Sequence, residues 1–138
     1  MNLLIIGAGN MGLTYGQSFV NASAVNRSHL FFLDRNEERA ASLTDISHNP
    51  LHMEASNFIK QMDLIILSVK PQDFDSLAMQ IRPYMQPHQL ILSIMAGITI
   101  EKLRQSLGIK KLVRAMPNLP AQVGQGMTVF TASDEVSR

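Results

Sequence analysis

The sequence contains no cysteine. That excludes a disulfide, a thiolate nucleophile and a cysteine-ligated metal, and it makes the cytoplasm the default compartment. No apolar run approaches the roughly 18–20 residues of a membrane span. Neither sign of charge dominates: 12 Lys and Arg stand against 11 Asp and Glu, and the basic residues are scattered. A nucleic-acid or membrane surface is therefore not expected. Met1 runs straight into an apolar segment, which leaves no room for a signal peptide. There is no Gly-x-Ser-x-Gly elbow and no obvious spacing of nucleophile and base. His48 and His52 are four apart, but Pro50 lies between them and no acid offers a third ligand, so no metal is expected. The nine methionines read as core filler.

What is present begins at the N-terminus. The apolar run Leu3 to Ile6 stops at Gly7-Ala-Gly9-Asn-Met-Gly12, and a helical pattern follows at once. Strand, Gly-x-Gly-x-x-Gly turn and helix in that order suit the pyrophosphate of a dinucleotide. Gly7 lets the chain turn out of the strand. Gly9 has no β-carbon, so phosphate can approach the backbone. Gly12 lets the helix lie close on the strand. The helix start supplies unpaired N–H groups to an anion. A purely structural glycine turn is the plainer alternative.

At 138 residues the chain has the size of one domain. Along it, apolar strands alternate with helical patterns. Met11, Tyr15, Phe19 and Ala22 form a helical stripe, and Gly16 is a second close-packing position. His29–Leu33 is a strand. Asn36 caps a helix running to about Ile46, with Glu37 and Glu38 in its first turn. Residues 51–54 form a brief edge strand, the third, and 56–61 a short helix. Asp63–Val69 is a strand whose middle, Leu64–Leu67, is apolar throughout, as a strand covered on both faces should be. Phe74, Leu77, Ala78, Ile81 and Met85 mark the inner face of the next helix. Gln89–Met95 is a strand. Thr99 caps a helix that Gly108 ends. Strands 110–116 and 127–131 flank a loop rich in proline and glycine. The alternation predicts an α/β doubly wound, mainly parallel sheet, the Rossmann fold. Residues 1–132 form the dinucleotide-binding domain. Residues 133–138 read as the start of a helix leading into a further domain absent from this chain.

Asp34 lies 22 residues after Gly12, at the end of the second strand. An acid there bonds the adenine-ribose hydroxyls and favours NAD, whereas an arginine receives the 2′-phosphate of NADP. The chain has both, as Asp34-Arg35, and the pair leans towards NADH binding at least as well as NADPH. The plainer alternative has Asp34 supporting the turn and Arg35 in solvent. Ser68-Val69-Lys70-Pro71 and Met95-Ala96-Gly97 close what count as the fourth and fifth strands, on the same carboxyl edge as the glycine turn. Small residues and open backbone there suit a flat nicotinamide ring. Lys70 is a charged residue at that edge but is not read as catalytic.

Gly7-Ala-Gly-Asn-Met-Gly12, Ser68-Val-Lys-Pro71, Ser93-Ile-Met-Ala-Gly-Ile98 and Arg114-Ala-Met-Pro-Asn-Leu-Pro-Ala-Gln-Val-Gly-Gln-Gly126 stand in the order and spacing of pyrroline-5-carboxylate reductase. The resemblance covers nearly the whole chain, and its last motif is the most family-specific. It implies hydride transfer from NADPH or NADH to the imine carbon of 1-pyrroline-5-carboxylate, giving L-proline. It places Gly7, Gly9, Asn10, Met11 and Gly12 at the pyrophosphate and Asp34 and Arg35 at the adenine ribose. Val69, Lys70 and Pro71, with Ala96 and Gly97, fall beside the ribose and nicotinamide, and Ser68, at the head of the same motif, counts among the cofactor-binding residues. Asn118 and Pro120 fall where nicotinamide and substrate meet. The resemblance assigns no catalytic residue to this chain. It implies a C-terminal domain that builds a homo-oligomer and most of the substrate pocket, so these residues alone should bind cofactor and turn over little substrate. Two departures stand out. Leu119 occupies a position usually held by threonine, and Asp34 one often held by serine or asparagine. The alternatives are a 3-hydroxyacid dehydrogenase-like enzyme and a non-catalytic NAD(P)-binding regulatory module.

Overall fold

The computed structural model describes residues 1–117 and 128–132. Ten named elements run along it: β1 (Leu3–Ile6), α1 (Asn10–Asn21), β2 (Leu30–Leu33), α2 (Ala40–Leu43), β3 (Leu64–Leu67), α3 (Phe74–Ile81), β4 (Leu90–Ser93), α4 (Ile100–Leu107), β5 (Leu112–Pro117) and β6 (Thr128–Ala132). They build one six-stranded sheet in the order β2-β1-β3-β4-β5-β6. The first five strands are parallel, and β6 adds antiparallel to β5. The expected α/β, mainly parallel sheet is therefore present.

Helices cover both faces, which is why β1 and β3 are apolar along their length. Alternate strand residues Leu4, Ile6, Ile65, Leu67 and Ile91 face one core with Phe74, Ala78 and Ile81 of α3 and Leu103 and Leu107 of α4. Leu3, Ile5, Leu30, Phe32 and Ile66 face the other, against Leu13, Tyr15, Phe19 and Val20 of α1 and Leu43 of α2. This is the period-two division of a strand between two covered faces. Among the described residues no helix is long and apolar enough to cross a membrane.

Several local expectations need correction. The helix after β2 is not continuous to Ile46. Asn36 caps a 3-10 turn at Glu37–Arg39 through its side chain, and α2 proper is only Ala40–Leu43. Residues 51–54 do not form a strand: one parallel bridge joins Leu33 to His52. The two motifs at 68–71 and 95–97 thus follow the third and fourth strands. The buried line of α1 is Gly12 and Gly16, flanked by larger side chains, and Ala22 is exposed beyond the helix end. A β-carbon on Gly16 would stand 2.9 Å from Phe32 Cζ, so its role in close packing holds. The helix at 56–61 is a 3-10 turn, Asn57–Gln61. Not every methionine is filler either: Met62 and Met95 are buried, whereas Met1, Met53 and Met79 are exposed. Caps at Thr99 and Gly108 are as expected, with Gly108 in the left-handed region at φ 69°.

Candidate functional site

The sheet order reverses beside β1: the chain leaves β1 for β2 on one side and reaches β3 on the other. Such a switch point opens a crevice at the carboxyl ends of the strands. Register defines it closely. Ile6 pairs with Leu33 and with Leu67, so the next residues, Gly7, Asp34 and Ser68, emerge side by side. The crevice there is a cleft of about 380 Å³. Gly7, Gly9, Asp34, Arg35, Ser68, Val69 and Lys70 all line it.

The glycine turn is tightly built. Gly7 has φ 100°, and a β-carbon on it would stand 2.8 Å from the Ser68 carbonyl oxygen. On Gly12 a β-carbon would fall 2.0 Å from the Gly7 carbonyl oxygen, so α1 rests directly on the turn. Gly9 is the N-cap and offers no side chain to the helix amides. The first bond of the helix is Leu13 N–H to the Gly9 carbonyl at 2.9 Å, and its first turn holds no acid. The amides at the start of α1, at Asn10, Met11 and Gly12, are thus left for a partner carrying negative charge.

Asp34 turns inward. Its Oδ2 accepts from the Ala8 N–H at 2.7 Å and from Arg39 Nη1 at 2.9 Å, and its Oδ1 accepts from the Asn36 N–H at 2.9 Å. The carboxylate is only 10% exposed. The neighbouring Arg35 is 78% exposed and reaches Asp73 only at 3.9 Å. The structure therefore separates the two residues the sequence pairs, and puts Asp34 in the turn-supporting position of the plainer alternative. The cation beside Asp34 is Arg39, which sequence reading missed. Its Nη1 also lies 3.2 Å from where a β-carbon on Gly9 would stand. The short 3-10 turn after β2, capped by Asn36, brings the residue five beyond the acid back over it.

Lys70 and Pro71 are exposed, and Pro71 opens a 3-10 turn that leads into α3. Ala96 and Gly97 are exposed at the β4 end but do not line the cleft, and a β-carbon on Gly97 would meet nothing within 4 Å. Asn118, Leu119, Pro120 and the helix start at 133–138 lie outside the described residues. Sequence reading also missed the outer wall of the cleft, which includes Met53, Asp73, Ser76, Leu77 and Gln80. Met53 is 46% exposed, and nothing in an apolar letter distinguishes such a methionine from a buried one.

These residues fit a dinucleotide. A helix start without a cap or an acid suits a diphosphate, and an acid and two arginines, Asp34, Arg35 and Arg39, line the same cleft. The cleft also has the size of small-ligand sites. A glycine turn at the switch point of a mainly parallel sheet defines a dinucleotide-binding domain of the Rossmann type. The chain belongs to the family described as NADP oxidoreductase, coenzyme F420-dependent, whose pattern matches residues 2–97. Pyrroline-5-carboxylate reductase of Staphylococcus aureus is 34% identical over 137 residues, covering 97% of this chain and 50% of the relative. Pyrroline carboxylate reductase of Plasmodium falciparum, solved with NADP bound, is 28% identical with a TM-score of 0.78, over 99% of this chain and 50% of that one. The 1-pyrroline-5-carboxylate reductase of Streptococcus pyogenes is 29% identical with a TM-score of 0.74, over 100% and 51%. The chain thus spans about half the length of the curated relatives it matches.

Proposed function

We propose that this chain is the NAD(P)H-binding half of an oxidoreductase that reduces 1-pyrroline-5-carboxylate to L-proline. The observation that carries the reading is the uncapped, acid-free start of α1, set on Gly7 at the switch point. The similarity to pyrroline-5-carboxylate reductases supports the substrate over a 3-hydroxyacid.

In this reading the amides of Gly9, Asn10, Met11 and Gly12 hold the diphosphate. Asp34 and Arg39, with Arg35 further out, face the adenine ribose and any 2′-phosphate. Met53 and Leu77 offer apolar surface to the adenine. Ser68, Val69, Lys70 and Pro71, with Ala96, Gly97 and Asn118, border the ribose and nicotinamide end. When bound, the nicotinamide supplies the hydride. The residues of this chain orient the cofactor and exclude water, which converts an encounter into a positioned reaction. A protonated imine is already electrophilic, so no strong base is required of this half. The other half of the full-length protein supplies the substrate carboxylate site and the contacts of a homo-oligomer. It works in the cytoplasm on a small molecule.

Two measurements test the reading. Fluorescence titration of the 138-residue chain should show saturable binding of NADPH and NADH, with little or no proline formed. The full-length gene product should form proline from pyrroline-5-carboxylate. Cofactor binding without turnover by the full-length product would favour a regulatory module, and oxidation of 3-hydroxyacids the other enzyme.

A further inference from the structure

We propose that Ser68 is a positioning residue for the pyrophosphate turn, acting through the peptide that joins Gly7 to Ala8. The inference rests on the reading that the turn binds NAD(P)H.

A trans peptide points its C=O and its N–H to opposite edges. In this peptide both edges are held. On one side Ser68 Oγ donates to the Gly7 carbonyl oxygen at 2.7 Å, with the Ile6 carbonyl oxygen a second acceptor at 3.0 Å. On the other side the Ala8 N–H donates to Asp34 Oδ2 at 2.7 Å. The register explains how two distant residues reach one peptide. Ser68 and Asp34 follow β3 and β2, which flank β1 with their ends level. Backbone bonds fix the frame: Ser68 N–H to Ile6 C=O at 2.9 Å and Gly7 N–H to Leu33 C=O at 2.8 Å.

The peptide needs holding because Gly7 is permissive about both of its dihedrals. What depends on it is α1. Gly12 lies so close on the Gly7 carbonyl that a β-carbon would overlap it, and the same β-carbon would stand 2.8 Å from Ser68 Oγ. The hydroxyl therefore fills the corner between the turn and the helix. It aims the Gly7 carbonyl, the carbonyl seats the first turn of α1, and that turn presents the free amides. With Oγ turned to two carbonyls, the Ser68 hydroxyl acts on the cofactor through the backbone.

The test is Ser68→Ala in the 138-residue chain, with Ser68→Thr beside it. Amide hydrogen exchange by NMR reads the peptide without any ligand, and titration reads the site. Loss of one hydrogen bond of this kind should weaken NADH, NADPH and ADP alike, by about three- to tenfold. Adenosine 2′-monophosphate, which lacks the diphosphate, should bind as before. The Ala8 amide should exchange faster in Ser68→Ala while mid-strand β1 amides keep their protection. Ser68→Thr, which retains the hydroxyl, should hold both properties within about twofold of wild type. Unchanged Ala8 exchange in Ser68→Ala would overturn the proposal, as would a threonine variant as impaired as alanine. Failure of the wild-type chain to bind any dinucleotide would refute the functional reading instead, and the exchange result would still decide whether Ser68 holds the peptide.

Discussion

Arg39 Nη1 sits 2.9 Å from Asp34 Oδ2, on the same oxygen that receives the Ala8 N–H of the glycine turn. The acid at the end of β2 therefore meets the cleft already neutralised by a cation. A 2′-phosphate arriving there meets Arg39 as well as Asp34, and the repulsion expected from an isolated carboxylate is offset. Arg39→Ala should then weaken NADPH about tenfold more than NADH, a difference of about 1.4 kcal/mol. Parallel titrations of wild type and variant with the two cofactors measure it. Equal loss for both would place the 2′-phosphate elsewhere, with Arg35 the next residue to test.

Asp34 carries a different expectation. Ala8 is buried, so removing the carboxylate takes away the partner its N–H has in the folded chain. A buried donor left unsatisfied costs about 1–3 kcal/mol. Asp34→Ala should lower the urea-unfolding free energy by roughly 2 kcal/mol. It should weaken NADH and NADPH together, because the turn proposed to hold both is loosened. A selective gain for NADPH with unchanged stability would instead make Asp34 a ribose ligand and little else.

The two glycines of α1 separate binding from packing. At Gly12 the obstruction is backbone, the Gly7 carbonyl at 2.0 Å, and cannot rotate away. Gly12→Ala should lift the helix off the turn, abolish measurable cofactor binding and cost about 3 kcal/mol or more. At Gly16 the nearest atom is the edge of the Phe32 ring, with Ile5 Cδ1 at 3.2 Å. Side chains can give way, so Gly16→Ala should cost about 1–2 kcal/mol and leave the dissociation constants within about twofold. Thermal melts and titrations on the same two proteins check both halves of this contrast.

The parts of the fold that were legible in the sequence share one property: their signal is local. The apolar runs at β1 and β3, the glycine spacing, and the caps at Asn36, Thr99 and Gly108 each report their own backbone. Residues 51–54 were misread because their apolar letters suit a strand, whereas only His52 reaches β2. The helix after Asn36 was overextended because a good start was visible and its early end at Leu43 was not. In the site, spacing after the glycines located Asp34 but not the direction its carboxylate faces. That direction depends on the Ala8 amide, which is 26 residues away in sequence. Arg39 was missed for the same reason, since only the fold returns it to Asp34.

His52 links this outer edge to pH. Its backbone joins β2 on both sides, accepting from the Asp34 N–H at 2.9 Å and donating to the Phe32 carbonyl at 3.0 Å. Its ring stacks on Phe58 with centroids 3.7 Å apart and planes 9° from parallel. Burial removes water from the imidazole and holds its pKa below the usual histidine value. The unfolded chain keeps a histidine near 6.5 and so binds the proton more readily than the folded one. The neutral ring therefore favours the folded state fully above that value. The contribution is lost as pH falls through about 6.5 towards the lower folded pKa. Urea midpoints should drop between about pH 7.5 and 5.5. In His52→Phe, which keeps a stacking ring without a titratable nitrogen, the drop should be smaller. The two proteins should differ least above about pH 7.5, where His52 is neutral whether the chain is folded or not. An identical slope in both would show that protonation of His52 does not bear on the fold.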